Sequence, residues 1–299
     1  MRKGAAIVLS TLGAFLVLVA IMAQFYAPSR LMKTPLDVET ITRLAGTAEL
    51  SDGDGGTESS PVRATSVTYA DSELSDDEVV SFVSSQCLFK EGADIDLCVS
   101  AQDPEGRLIS ATTDNFATDR KTGESVNDPK YVPAGSVEHE GVVNKWPFEA
   151  EKKTYPYWDS LVGGAVDAVY DRTEKVGDLD EVYVYKVEVP ETSAEITSGV
   201  TGTYTDSKEI WIEPLTGQIV NQVDHQERYD ADGNPFLILD LAFTEDQVDK
   251  NADEIAETVA SLTLIKDTVP LVGLVVGIPM LLLGLFLGLR NRKTETRTA

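Results

Sequence analysis

Residues 4–23 form one uncharged apolar run and residues 269–289 form another. Between them, apolar and polar positions alternate over short distances. Each run has about 20 residues, the length that crosses a hydrocarbon core about 30 Å thick. In the second run fourteen of 21 residues are Leu, Val, Ile or Phe, which favours insertion by roughly −4 to −8 kcal/mol. The first run follows Arg2 and Lys3, so a cleaved signal peptide competes with an uncleaved anchor. Its apolar stretch is longer than the roughly 7–15 residues of a signal core, and the cleavage pattern around Ile21 and Ala23 is poor, which favours the anchor.

Arg2 and Lys3 before the first run, and Arg290, Arg292 and Lys293 after the second, place both termini in the cytoplasm by the positive-inside rule. The expected organisation is a cytoplasmic start (1–3), a transmembrane helix (4–26), an extracytoplasmic β-rich domain (27–267), a second transmembrane helix (268–289) and a cytoplasmic tail (290–299). The expected location is the plasma membrane. The second span carries Gly273, Gly277, Gly284 and Gly288 near one helix face, where small residues let another helix approach closely. The expected partner is the first span, through small residues such as Ser10 and Ala14. A second copy or another membrane protein is the alternative.

In the domain between the spans, residues 35–46 read as a short helix, and Ser51–Ser60 as a polar, mobile loop. Strand-like stretches follow at Ala64–Ala70, Val79–Gln86, Ile95–Ala101 and Arg107–Thr112. A long polar connection covers Asp119–Ser136. Trp158–Thr173 has a helical pattern weakened by Gly163 and Gly164. Glu181–Val189 is rich in β-branched and aromatic residues, a strand signal. In Lys208–Glu213, Ile210 and Ile212 share one strand face; Pro214–Gly217 is a turn and Gln218–Arg228 the return strand. Asp230–Pro235 is another turn. Thr244 and Gln247 match a capping box. Val248, Ala252, Ile255, Val259 and Leu262 then repeat with helical spacing. The predicted fold class is α+β: a mainly β domain, with a sandwich- or barrel-like antiparallel sheet and a terminal helix, flanked by two transmembrane helices.

Charge narrows the partners. The span 27–267 holds 19 basic and 49 acidic residues, a net charge of −30. Such a surface repels nucleic acid. Two cysteines outside the cytoplasm, Cys87 and Cys98, are expected to pair as a disulfide, stapling a β-hairpin near its tip.

No catalytic constellation stands out. His139 and His225 have no second ligand at i+3 or i+4, so zinc is not expected. Asp52 with Asp54, and Asp230 with Asp232, resemble fragments of calcium loops but lack the full ligand series, and turn chemistry explains them. There is no nucleophile elbow, Walker loop or dinucleotide fingerprint. No cofactor or metal is expected. The densest basic and aromatic stretch combines Trp146, Tyr155, Tyr157 and Trp158 with Lys145, Lys152 and Lys153. Lys153, Tyr155, Tyr157 and Trp158 are the candidates for a groove that takes a lipid or sugar headgroup. Core packing with snorkelling lysines is the plainer reading.

The segments Glu151-Lys-Lys-Thr-Tyr-Pro-Tyr-Trp-Asp159 and Trp211-Ile-Glu-Pro-Leu-Thr-Gly217, together with the two terminal spans, resemble an actinobacterial membrane-protein family labelled the PorA porin family. The resemblance covers nearly the whole chain and brings no catalytic residues. It implies cell-envelope work: trafficking of mycolate-type lipids and polar growth, beside a lipid transporter. The function expected is therefore non-enzymatic: a membrane-held domain that binds or hands over a lipid or glycolipid, or docks on a lipid transporter. A structural or scaffolding protein, including a homo-oligomer, is the alternative.

Overall fold

The computed structural model describes residues 2–53, 56–92 and 95–295. The chain divides into two compact units, Met1–Lys33 with Glu257–Ala299, and Thr34–Ala256.

In the first unit, α1 (Arg2–Phe25) packs on α4 (Val269–Glu295). Small residues make the contact. A Cβ placed on Gly273 would lie 2.8 Å from both the Ala20 Cβ and the Leu16 carbonyl, and one on Gly277 would lie 3.1 Å from the Gly13 carbonyl. A Cβ on Gly284 would meet the Ser10 backbone and, at 3.0 Å, the Ala6 carbonyl. Three of the four glycines thus face the first helix. Gly288 has nothing within 4 Å. Ser10 takes part as expected; Gly13 fills the role expected of Ala14, which is exposed. The opposite faces present Ile7, Phe15, Leu18, Leu271, Leu282 and Phe286 outward, as lipid contact requires. A short helix, α2 (Ala27–Leu31), follows α1.

The second unit is one ten-stranded antiparallel sheet. Its strands are β1 (Glu39–Ser51), β2 (Thr57–Asp71), β3 (Val79–Lys90), β4 (Leu108–Asp119), β5 (Tyr155–Asp159), β6 (Gly164–Val176), β7 (Leu179–Thr197), β8 (Val200–Ile212), β9 (Ile219–Tyr229) and β10 (Pro235–Phe243). Their order is β4-β3-β2-β1-β10-β9-β8-β7-β6-β5. The connection between β4 and β5 links the two sheet edges at one end. Thr118 pairs with Ser125, Glu124 with Val142, and Val142 with Tyr157. That closure gives the sheet an inner face, and the apolar clusters collect on it. One contains Trp146, Tyr155, Tyr185, Val187, Ile210 and Ile212. Another contains Ala48, Val62, Leu88, Leu237, Leu239 and Leu241.

Four expectations are corrected. Residues 39–46, read as helix, belong to β1, which is hydrogen-bonded on both sides by β2 and β10. The β-branched Thr40-Ile41-Thr42 suits the extended pairing with Thr68, Val67 and Ser66 of β2. The helical pattern of Trp158–Thr173 is instead β5, a turn and β6. The Asp159 carboxylate accepts from the Leu161 and Val162 amides and forms the turn. Ile95–Ala101 forms no strand. The hairpin partner of β3 is β4, and the intervening loop is tied back by the Cys87–Cys98 disulfide, with Cα atoms 5.8 Å apart. Arg107 pairs with Asp103 at 2.6 Å in the same loop. Ser51–Ser60, read as a mobile loop, is in part strand: Ser51 ends β1 and Thr57–Ser60 open β2, with Ser51 paired to Thr57, and Asp54 and Gly55 lie outside the described residues.

Helix α3 (Glu245–Thr263) buries Gln247, Ala252 and Ile255. The cap is half a box: the Thr244 hydroxyl accepts from the Gln247 amide at 3.2 Å, but the Gln247 side chain accepts from the Arg43 amide at 3.0 Å. Gln247 thereby joins the helix start to β1. A π-helical turn (Leu264–Thr268) leads from α3 to α4.

The disulfide closes a short loop, so replacing both cysteines with serine should lower the unfolding free energy of the detergent-solubilised protein by about 3 kcal/mol. Denaturant titration measures it. A loss under about 1 kcal/mol would mean that the loop's other contacts hold it without the bond.

Candidate functional site

The four residues expected to line one groove lie in three environments. Strand alternation separates them. Tyr155 and Tyr157 of β5 pair with Ala168 and Val166 of β6 and face inward, and Trp158 points to the other side. Tyr155 is buried; its hydroxyl accepts from the Glu151 amide at 2.9 Å. Tyr157 stacks on Trp146 with ring centroids 5.6 Å apart. Trp158 is buried against His139, with centroids 4.5 Å apart, and the His139 ring nitrogens sit 2.8 Å from Asp114 Oδ2 and 2.9 Å from the Val137 carbonyl. Lys153 is exposed, paired with Glu151 at 2.7 Å and lying 5.1 Å from the Tyr155 ring centroid. Gly217 (φ 71°) holds this region together: its carbonyl accepts from the Trp146 amide at 2.8 Å, and a Cβ there would strike the Trp146 carbonyl.

The inner face of β5, β8 and β9 carries a cluster of ionisable groups. In β8 the residues of even number point inward, so Tyr204, Asp206 and Lys208 share the face of Ile210 and Ile212. Asp224 and Arg228 join them from β9, and Tyr157 and Asp159 from β5. Asp206, Lys208, Asp224 and Asp159 are all at least nine-tenths buried. Lys208 Nζ lies 3.0 Å from Asp206 Oδ2 and 3.7 Å from Asp224 Oδ2. The Tyr204 hydroxyl lies 3.0 Å from Asp159 Oδ2 and 3.1 Å from Asp206 Oδ2. Gln226 donates to Asp224 at 3.0 Å and accepts from Arg228 at 2.8 Å.

Burial pushes the Asp206 carboxyl up to about 6; Lys208 opposes the rise and Asp224 adds to it. Burial pulls the Lys208 ammonium down, but Asp224, Tyr157, Asp206 and Tyr204 outweigh it and hold the group well above its ordinary range. Burial raises Tyr204 and Tyr157 and lowers Arg228. Elsewhere in the domain, burial lowers Lys145 to about 7, with the Asp119 charge opposing. Lys145 Nζ sits 3.6 Å from the Phe148 ring centroid. Perturbed groups gathered in one place mark a functional candidate, although structural ion networks perturb pKa values too.

The sequence reading missed this cluster. The signal was available, because extending the Ile210/Ile212 alternation back along β8 puts Lys208, Asp206 and Tyr204 on the buried face.

An open concavity lies elsewhere. A groove of about 250 Å³ on β6 and β7 is lined by Asp167, Val169, Tyr170, Asp171, Lys186 and Glu188. Lys186 sits 3.5 Å from both Asp171 and Glu209, and Arg172 pairs with Asp171 at 2.7 Å and with Glu209 at 2.8 Å. Lys152 lies over the Tyr183 ring at 4.8 Å, and Tyr183 meets Tyr170 edge-on. The buried cluster has the perturbed titrations; the groove has the access a ligand needs. Among the described residues no group of three His, Cys, Asp or Glu is placed to hold a metal ion.

The model of the family described as Porin PorA matches residues 5–286. The chain belongs to the PorA porin family. The match takes in both apolar helices and the whole sheet, so this PorA-family member is a membrane protein with a large β domain between two apolar helices. No curated protein matches the chain. On the outer face of β6–β8, Asp171, Lys186 and Glu209 form ion pairs, where a lipid-facing barrel carries an apolar band.

Proposed function

We propose that this PorA-family protein is a non-enzymatic membrane-held binder of the polar headgroup of a lipid or glycolipid. The observation that supports it is the open groove on β6 and β7. There Tyr170, whose ring also packs on Tyr183 and Tyr185 of the interior cluster, one half-exposed apolar side chain (Val169) and charges of both signs surround about 250 Å³. Carboxylates accept from hydroxyl groups, Lys186 donates to an oxygen, and a ring edge or face packs on a sugar. The apolar interior of the sheet is filled by side chains such as Trp146 and Tyr185, so an acyl chain stays in the bilayer and only the headgroup is taken. Handover to a lipid transporter is the step such a binder would serve. Gly273, Gly277 and Gly284 of α4 already face α1, so a scaffolding role would act through the ectodomain or the outward helix faces.

Full-length protein in nanodiscs doped with envelope lipids, read by native mass spectrometry, tests this. Tyr170→Ala and Lys186→Glu should each weaken lipid retention about tenfold, equivalent to about 1.4 kcal/mol, with the fold intact by circular dichroism. Equal retention by wild type and both variants would remove the groove from consideration. Absence of any headgroup-dependent retention would remove the function.

A further inference from the structure

Counting protons in the buried cluster exposes a shortage. Asp159 Oδ1 accepts from two backbone amides, and Asp159 Oδ2 faces the Tyr204 hydroxyl. Tyr204 has one proton, and Asp159 and Asp206 both approach its oxygen. A tyrosine can donate once. Asp206 Oδ1 and Asp224 Oδ1 are both buried with no hydrogen-bond partner. Asp206 and Asp224 sit diagonally on adjacent strands, since Lys208 pairs with Asp224 and Asp206 with Gln226, and both carboxylates lie against the one Lys208 ammonium, at 3.0 and 3.7 Å. Three buried carboxylates face two cations, Lys208 and Arg228, so one negative charge is in excess. Two carboxylates gathered on one ammonium away from water, in a cluster with excess negative charge, cannot both be ionised without a large cost.

We propose that Asp206 and Asp224 hold one exchangeable proton between them, a proton-binding site on the inner face of the β domain beside Lys208. The proton cancels the excess charge in a cluster where the Oδ1 atoms of Asp206 and Asp224 are both buried without a partner. The groups that face the pair are Tyr204 and Lys208 on β8, Arg228 with Gln226 on β9, and Tyr157 and Asp159 on β5; Val189 of β7 lies directly opposite Asp206 and carries no charge. Loss of the proton leaves two like charges across β8 and β9 and loosens that strand pair. The proposal is independent of lipid binding, because none of Asp206, Lys208 and Asp224 lines the groove on β6 and β7.

The site concerns a carboxyl whose folded pKa is raised. The folded state therefore binds the proton more tightly than the unfolded chain. Stability from this pair is greatest at low pH and is lost as pH rises through about 6. Two measurements on the full-length protein in detergent test it. Infrared difference spectra of wild type minus variant at about pH 5, where ordinary carboxyls are mostly ionised, should show one protonated carboxyl band that is present in wild type and missing in Asp206→Asn and in Asp224→Asn. Thermal melting between about pH 5 and pH 8 should show wild type losing melting temperature against Asp206→Asn as pH rises. Absence of the wild-type band overturns the proposal whether or not the variants fold. So do parallel melting curves for wild type and Asp206→Asn, or a melting temperature that responds to exchange of sodium for potassium but not to pH, which would mean that a metal cation supplies the missing charge.

Discussion

Lys208→Met should destabilise the β domain by about 3–5 kcal/mol at pH near 8, the largest effect expected of any single substitution. Lys208 is the cation between Asp206 and Asp224. Methionine keeps the length of the side chain and removes the charge, so buried carboxylates lose their compensation. Breaking one member of a buried charge set costs more than the set contributed, because the remaining charges stay in low dielectric. Denaturant titration of the intact protein measures the loss. The loss should shrink at about pH 5, where a proton on the Asp206–Asp224 pair replaces part of the missing positive charge. The double variant Lys208→Met, Asp224→Asn should recover much of the stability, since it removes a carboxylate with the ammonium. A loss under about 1 kcal/mol at both pH values would place Lys208 in effective contact with water and undo the account of the cluster.

Gly284→Leu and Gly277→Leu should drive α1 and α4 apart. At Gly284 even a Cβ meets the backbone of Ser10 and Ala6, and at Gly277 it meets Leu16 and Gly13. A leucine cannot be absorbed by a rotamer change when the neighbour is backbone. The helices must separate toward the 8–10 Å axial distance usual with larger side chains, at about 1–3 kcal/mol for each substitution. Spin labels at the outward-facing positions Ile7 and Leu282 report the distance in nanodiscs. It should lengthen and broaden in both variants and stay as in wild type for Gly288→Leu, because Gly288 has open space around it. If Gly288→Leu and Gly284→Leu behave alike, close glycine packing is not what holds the pair.

Much of the fold could be read along the chain where a signal was local. The apolar runs marked α1 and α4, β-branched density marked β7, and the turn at Pro214–Gly217 marked the β8–β9 hairpin. The reading failed where short patterns fit two periods. Residues 35–46 and 158–173 each hold a few apolar residues at spacings a helix or a strand accepts, and pairing with β10, β2 and β7 decided for strand. For the site, the residue types were visible but not their grouping. Tyr155 and Trp158 were read as neighbours in a groove, yet one is packed on Tyr185 and the other on His139. Asp206 and Lys208 were overlooked because charged positions in a strand usually face water.

The composition and order of residues alone determined two membrane-length helices, a strongly acidic domain between them, a paired set of cysteines and a mainly β fold. These follow from hydrophobic run length, charge count and β-branched content, none of which needs a distant partner. The tertiary structure decided that the sheet has ten strands in one layer closed at one end, that the glycines of the second span are used on the first, and that three aspartates, a lysine and an arginine converge inside. Those outcomes depend on contacts such as Tyr204 with Asp159, 45 residues apart in the chain. A charge buried by folding is distinguished from a charge left in water only by which strands lie across from it.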